Sequence, residues 1–334
     1  MELFIGKSCE DFKSSNDPRD CMDCTGYNIY RSVKVPDLTD DLHVITSVKG
    51  CGFIHLVNRP SQEQLDTFYR DEFFQIHKPK YAQEEQKDIA WHRMMFADRL
   101  EDFTELLGRK PESVLDIGCG TGLFLRWLSG EGIKRCVGIE PNMQMCTLAL
   151  ANSSECVSGS IIQADSFHNP PIAREFDVVV LQFVLEHVLD PETMIRQAVA
   201  HLKPDGILYV CCPNDFTDIQ EQAASAIGKP FYWVHVPDHC NYFNFDSLEK
   251  LLTKCSLHPV LRDATFPMEG FLVTGGLDYT SDGKLGRYLH KIRMAYELAL
   301  DRSGCGIRRN LMRSMAMEGR GRDCIVYSRK RGCQ

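Results

Sequence analysis

No apolar run in this 334-residue chain approaches the roughly 20 residues a bilayer-spanning helix needs, so no membrane span is expected. The opening Met1-Glu2-Leu3 lacks the basic and apolar regions of a secretory signal, which points to a soluble, cytoplasmic protein. Positive charge is not in excess either. The 38 Lys and Arg stand against 46 Asp and Glu, a net charge of -8 with a pI near 5.8. That balance argues against a broad nucleic-acid footprint and makes a small-molecule partner the simpler expectation. Internal repeats and long low-complexity stretches are absent, and the length suits one large domain with a smaller addition. Cysteine is not scarce, at fifteen residues, but Cys136, Cys211 and Cys212 lie in apolar strand-like runs. Free cysteine behaves there as a small hydrophobe in a reducing compartment, not as part of a disulfide scaffold.

The most informative stretch is Val114-Leu115-Asp116-Ile117-Gly118-Cys119-Gly120-Thr121-Gly122. It reads as a buried strand that breaks into a tight glycine turn and opens a helix at Leu123, a turn where side chains would hold the backbone away from a ligand. Glu140 closes the apolar run from Cys136, and Asp165 closes the run from Ile161, so each acid falls where a following strand ends. Ligands of open α/β sheets bind at those carboxyl ends. Gly118-x-Gly120 followed by an acid also describes a dinucleotide site, but its third glycine would fall at Leu123.

Strands are expected over 113–117, 137–140, 161–164, 177–182 and 206–212, alternating with helices as a doubly wound sheet requires. Ile89, Arg93, Phe96, Leu100, Phe103 and Leu107 recur at three- and four-residue intervals, which predicts an amphipathic helix over 88–107 ended by Gly108. Before it, strand-like pieces at 42–48 and 53–57 suggest a small β-rich module, and Ser61 caps a short helix over 62–69. Beyond Pro213 the spacing predicts a helix over 247–255, strands over 258–263 and 270–275, a helix over 285–300 and a closing strand over 322–329. The division is 1–80 for the β-rich module, 81–275 for the main domain and 276–334 for a carboxyl-terminal extension. The basic end Arg329-Lys330-Arg331 reads as a solvated tail.

The stretch 114–122, Gly138-Ile139-Glu140-Pro141-Asn142, Ala164-Asp165-Ser166 and Leu202-Lys203-Pro204-Asp205-Gly206 resemble, in order, the motifs of class I S-adenosylmethionine-dependent methyltransferases. The resemblance implies a Rossmann-like α/β fold with a seven-stranded sheet and methyl transfer to oxygen, nitrogen or carbon of a small metabolite. A sugar nucleotide, glycan precursor or natural-product intermediate is the acceptor it suggests. A non-catalytic scaffold or sensor that keeps the cofactor fold is the alternative. The resemblance implies that Glu140 accepts the ribose hydroxyls, Asp165 the adenine amine, and that Asp116, Gly118, Gly120, Gly122 and Gln182 complete the cofactor site.

For proton removal from an acceptor the candidates are His187, in the Glu186-His187 pair after the fourth strand, and His239 with Tyr242 in the segment after the fifth. His187 also has a structural reading, since Glu-His at that place accompanies many substrates in the relatives. The 233–243 segment resembles the His-x-x-x-Phe stretch of methyltransferases acting on sugars and related metabolites. Cys21-Met22-Asp23-Cys24 with Cys51 resembles the small zinc module that precedes some sugar and natural-product methyltransferases. Val48 stands where a fourth cysteine belongs. Two readings stay open: zinc at Cys21, Cys24 and Cys51, or a module that has lost its ion and kept its fold.

Overall fold

The computed structural model describes residues 31–33, 43–47, 52–56, 59–153, 159–163, 175–235, 238–274, 276–304 and 306–331. Cys21, Cys24, Cys51, Val48 and Asp165 lie outside the described residues. The first elements are three short strands, β1 (Arg31–Val33), β2 (His43–Ser47) and β3 (Ile54–Leu56). Helix α1 (Gln62–Thr67) follows, opened by a capping box in which Ser61 and Gln64 satisfy each other's backbone N–H groups. The chain then widens its turn over Phe68–His77, and Lys78 N donates to Phe73 O, five residues back, at 2.8 Å. Such wide turns are rare and gather at functional sites. After α2 (Tyr81–Lys87), the three-and-four spacing of Phe96, Leu100 and Phe103 gives α3 (Ile89–Leu107) one buried face, and Gly108 ends it at φ 68°.

From there strands and helices alternate. They are β4 (Ser113–Ile117), α4 (Leu123–Gly130), β5 (Arg135–Glu140), α5 (Met143–Ser153), β6 (Gly159–Gln163), β7 (Phe176–Gln182), α6 (Pro191–Ala200) and β8 (Leu202–Pro213). The remainder supplies α7 (Asp218–Ile227), β9 (Asn241–Tyr242), α8 (Phe245–Lys254), β10 (Leu257–Ala264), α9 (Glu269–Val273), α10 (Gly283–Arg302), α11 (Ile307–Met317) and β11 (Asp323–Lys330).

Seven strands form one sheet in the order β10-β11-β8-β7-β4-β5-β6. Neighbours among β4 to β8 pair parallel, whereas β11 pairs antiparallel with both β10 and β8. Alternation along the strands buries two apolar layers. Leu115, Ile139 and Leu181 pack toward Ile195 and Leu252 on one face. Val114, Cys136 and Val180 pack toward Phe103 and Leu128 on the other. Burial on both faces is what an α/β sheet demands.

The closing strand enters between β10 and β8, so the 81–275 and 276–334 segments contribute to one sheet. Of the strand expected over 270–275, the described residues 270–274 form none. The first of these form α9, because Leu272 and Glu269 both turn inward and Glu269 takes an ion pair from Arg322 beside β11. Helices α2, α7 and α11 fall outside the elements expected from the spacing. A second sheet runs β1-β2-β3-β9, so the amino-terminal strands are completed by Asn241–Tyr242 from after β8. The eight described cysteines are free, and seven of them are buried. Among the described residues no helix is long and apolar enough to cross a membrane.

Candidate active site

Because β4, β5 and β7 run parallel and in register, Asp116, Glu140 and Gln182 arrive together at the carboxyl edge of the sheet. Above them opens a cavity of about 900 Å³, large enough for a cofactor with a second small molecule. The glycine turn forms its floor. Gly118 and Gly120 sit at φ 81° and 53°, in the left-handed region that favours glycine. Gly118 N and Cys119 N both donate to Ile139 O, at 2.8 and 3.1 Å, which locks the turn to β5. Gly122 is the left-handed N-cap of α4 and does not line the cavity.

Glu140 is 4% exposed. One carboxylate oxygen accepts from Gly120 N and the other from Asn142 N, both at 2.8 Å. Each oxygen keeps a further lone pair for a ligand. Burial pushes its pKa up to about 7 against the pull of those two N–H groups. Asp116, also buried, is pushed up to about 7 by the same loss of water, while the nearby Arg99 cation works the other way. The Arg99 guanidinium lies 4.5 Å from the Tyr209 ring centre and 4.8 Å from that of Phe124. The two carboxyls are thus poised to change charge near neutrality.

The opposite wall is built by the 183–190 loop, the wide-turn helix and Trp233, His235, Asp238 and His239. Phe183 leaves β7 at φ 54° with its ring 40% exposed at the cavity. His187 Nδ1 lies 2.6 Å from the Tyr69 hydroxyl and 2.9 Å from Asp238 O. The His187 and His239 rings meet edge to face at 4.9 Å, and His235 stands 5.2 Å beyond His239. Burial lowers the pKa of all three imidazoles, so they stay neutral near pH 7. Glu186, 1% exposed, is raised by burial and places Oε1 3.8 Å from His187 Nε2.

The fold therefore brings Asp116, Gly118, Gly120, Glu140, Gln182, His187 and His239 to one cavity. Tyr242 is elsewhere: it is 2% exposed, packs on Phe216, and donates its hydroxyl to His235 O at 3.3 Å. The phenol that reaches His187 is Tyr69, which the sequence offered only as part of the amino-terminal module. Its 118-residue separation from His187 leaves no local spacing to read. Asp238 and His235, one and four residues before His239, line the same cavity without a spacing that marks them.

A family model described as "Methyltransferase domain" matches residues 90–258. The ubiquinone biosynthesis O-methyltransferase of Haemophilus ducreyi is 30% identical over 161 residues, 45% of this chain and 64% of that protein. The malonyl-[acyl-carrier protein] O-methyltransferase of Halalkalibacterium halodurans is 30% identical over 132 residues, 36% of this chain and 47% of that protein. The chain thus spans less than two thirds of either relative. The solved plantazolicin methyltransferase BpumL, in complex with SAH, aligns with a TM-score of 0.48 at 14% identity over 80% of this chain and 94% of that one.

Proposed function

This chain belongs to the methyltransferase domain family, and from that premise we propose that it transfers a methyl group from S-adenosylmethionine to a small metabolite. When bound, that cofactor supplies a methyl carbon activated by positive sulfur. The observation that carries the reading is the Glu140 carboxylate at the end of β5, buried yet with acceptor capacity to spare, beside the open glycine turn. A side-chain carbon at Gly120 would meet nothing within 4 Å, so the turn faces open space. In this reading Glu140 takes the ribose hydroxyls. Gly118 and Gly120 let the methionine portion approach the backbone, and Gln182 borders it. Asp116 orients that portion, directly or through water. Gly122 serves the helix entry, and Asp165 takes the adenine amine.

The acceptor lies toward Tyr69, His187 and His239, and its nucleophile loses its proton on that side. Alignment of the nucleophile with the methyl carbon supplies much of the rate. The relatives are named O-methyltransferases, which favours transfer to oxygen. In this reading the acceptor is a sugar nucleotide, glycan precursor or natural-product intermediate. The eight free cysteines among the described residues suit a reducing compartment such as the cytoplasm.

Calorimetric titration with S-adenosylhomocysteine tests the cofactor half. Micromolar binding that is lost in Glu140→Ala is expected; an unchanged dissociation constant in that variant refutes the ribose assignment. A transfer assay with labelled S-adenosylmethionine over hydroxylated metabolites tests the rest, and binding without transfer to any acceptor favours the scaffold alternative.

A further inference from the structure

The acceptor wall holds a set of donors that methyl transfer from a sulfonium does not itself require. One ring nitrogen each of His187 and His239 and a carboxylate oxygen of Asp238 lie within 4.8 Å of one another. They come from two segments that hydrogen bonds hold in fixed relation. Glu186 O accepts from Cys240 N at 2.7 Å and from Asn241 N at 3.1 Å. The Asn241 side-chain amide donates to Leu185 O at 2.9 Å and to Val188 O at 2.7 Å. The donors are therefore positioned before any ligand arrives.

We infer that His187, Asp238 and His239 bind a divalent cation of the zinc class on the acceptor side of the cavity. Two details of the surroundings favour a cation. With its proton on Nδ1, His187 donates to Asp238 O, which fixes the ring and leaves Nε2 as the lone pair, the arrangement of a metal-bound histidine. Tyr69 completes it by donating to the same carbonyl at 3.2 Å. Glu186 lines the same cavity, and its Oε2 is buried without a hydrogen-bond partner. A cation beside it would satisfy a carboxyl oxygen left buried in this way.

Two imidazoles and one carboxylate leave a fourth position open to the cavity, as in catalytic rather than structural zinc sites. A hydroxyl that takes this position is acidified and releases its proton to solvent near neutral pH. The step rests on the methyltransferase reading and deepens it: the acceptor is then a hydroxyl-bearing metabolite that ligates the cation. Cation binding itself does not depend on that reading.

The test is calorimetric titration of the chelator-treated full chain with Zn2+, paired with the visible spectrum of its Co2+ form. One equivalent should bind through nitrogen and oxygen donors, and binding should be lost in His239→Ala and in Asp238→Asn. Retained affinity for S-adenosylhomocysteine shows that these variants are folded. Serine at Cys21, Cys24 and Cys51 should leave this binding intact. No binding by the parent chain, binding undiminished in both variants, or a spectrum of thiolate ligation abolished by the serine substitutions would each overturn the site. Zinc bound here by a chain that does not bind S-adenosylhomocysteine would keep the site and remove the methyltransferase reading.

Discussion

Lowering the pH should release the cofactor from this protein before it unfolds the chain, and Glu140 is the reason. Burial holds its carboxyl at about 7 in the ligand-free protein, and only the ionised form accepts from both ribose hydroxyls. The ionised fraction is high above that pKa and falls below it, so affinity is strong at high pH and weakens as pH drops. From pH 8 to pH 6 the fraction drops roughly tenfold, or about 1.4 kcal/mol of binding free energy. Asp116 titrates in the same range and adds to the effect for ligands that carry the amino acid portion. Calorimetry with methylthioadenosine, which has the ribose and adenine but no amino acid, isolates Glu140. S-adenosylhomocysteine reports both carboxyls. The Glu140→Gln variant should bind methylthioadenosine weakly and with little pH dependence. A flat profile for the parent chain, or an unaltered one in the variant, refutes the assignment.

Replacing Tyr69 by Phe removes the hydroxyl from His187 and should slow turnover about tenfold, the worth of one hydrogen bond of about 1.4 kcal/mol, while the S-adenosylhomocysteine dissociation constant stays put. Gly120→Ala places a side chain at φ 53°, a strain of about 1–2 kcal/mol, and should weaken cofactor binding, read by the same titration. Asp177 is fully buried and accepts from Arg109, Lys203 and the backbone of Glu112 and Ser113. Those donors outweigh burial and hold its carboxyl well below the usual range. Its contribution is therefore complete above about pH 4 and lost as pH falls further; Asp177→Ala should cost about 3 kcal/mol in urea unfolding at pH 7. Glu297, with no exposed surface, meets Arg293, Arg308 and Trp91 and ties α10 and α11 to α3. Its replacement by Ala takes the carboxylate from buried Arg293 and leaves Arg308 with Asp98 alone, and should destabilise the fold by about 3 kcal/mol in the same assay.

Local chemistry made the glycine-turn half of the cavity legible. The order of strand, glycine turn and acid is written in contiguous residues because a strand end, a left-handed turn and a helix start occupy neighbouring positions in the chain. Glu140 and Gln182 could be placed beside Asp116 from strand ends alone, since parallel register aligns them. The run 270–275 shows the limit of such reading. Its apolar residues suit a strand or a short helix equally, and the ion pair between Glu269 and Arg322 accompanies the helical outcome.

The sequence by itself determined the layered α/β arrangement, the edge of the sheet where the cavity opens and the acids Asp116 and Glu140 that stand there, since periodicity and turn chemistry are local properties. Tertiary structure alone decided the cavity wall opposite the glycine turn. It paired β3 with β9, brought Tyr69 to His187 and Asp238 across more than a hundred residues, and sent Tyr242 into the core. Those contacts depend on how distant loops pack, and packing is a property of the whole chain that no single stretch encodes.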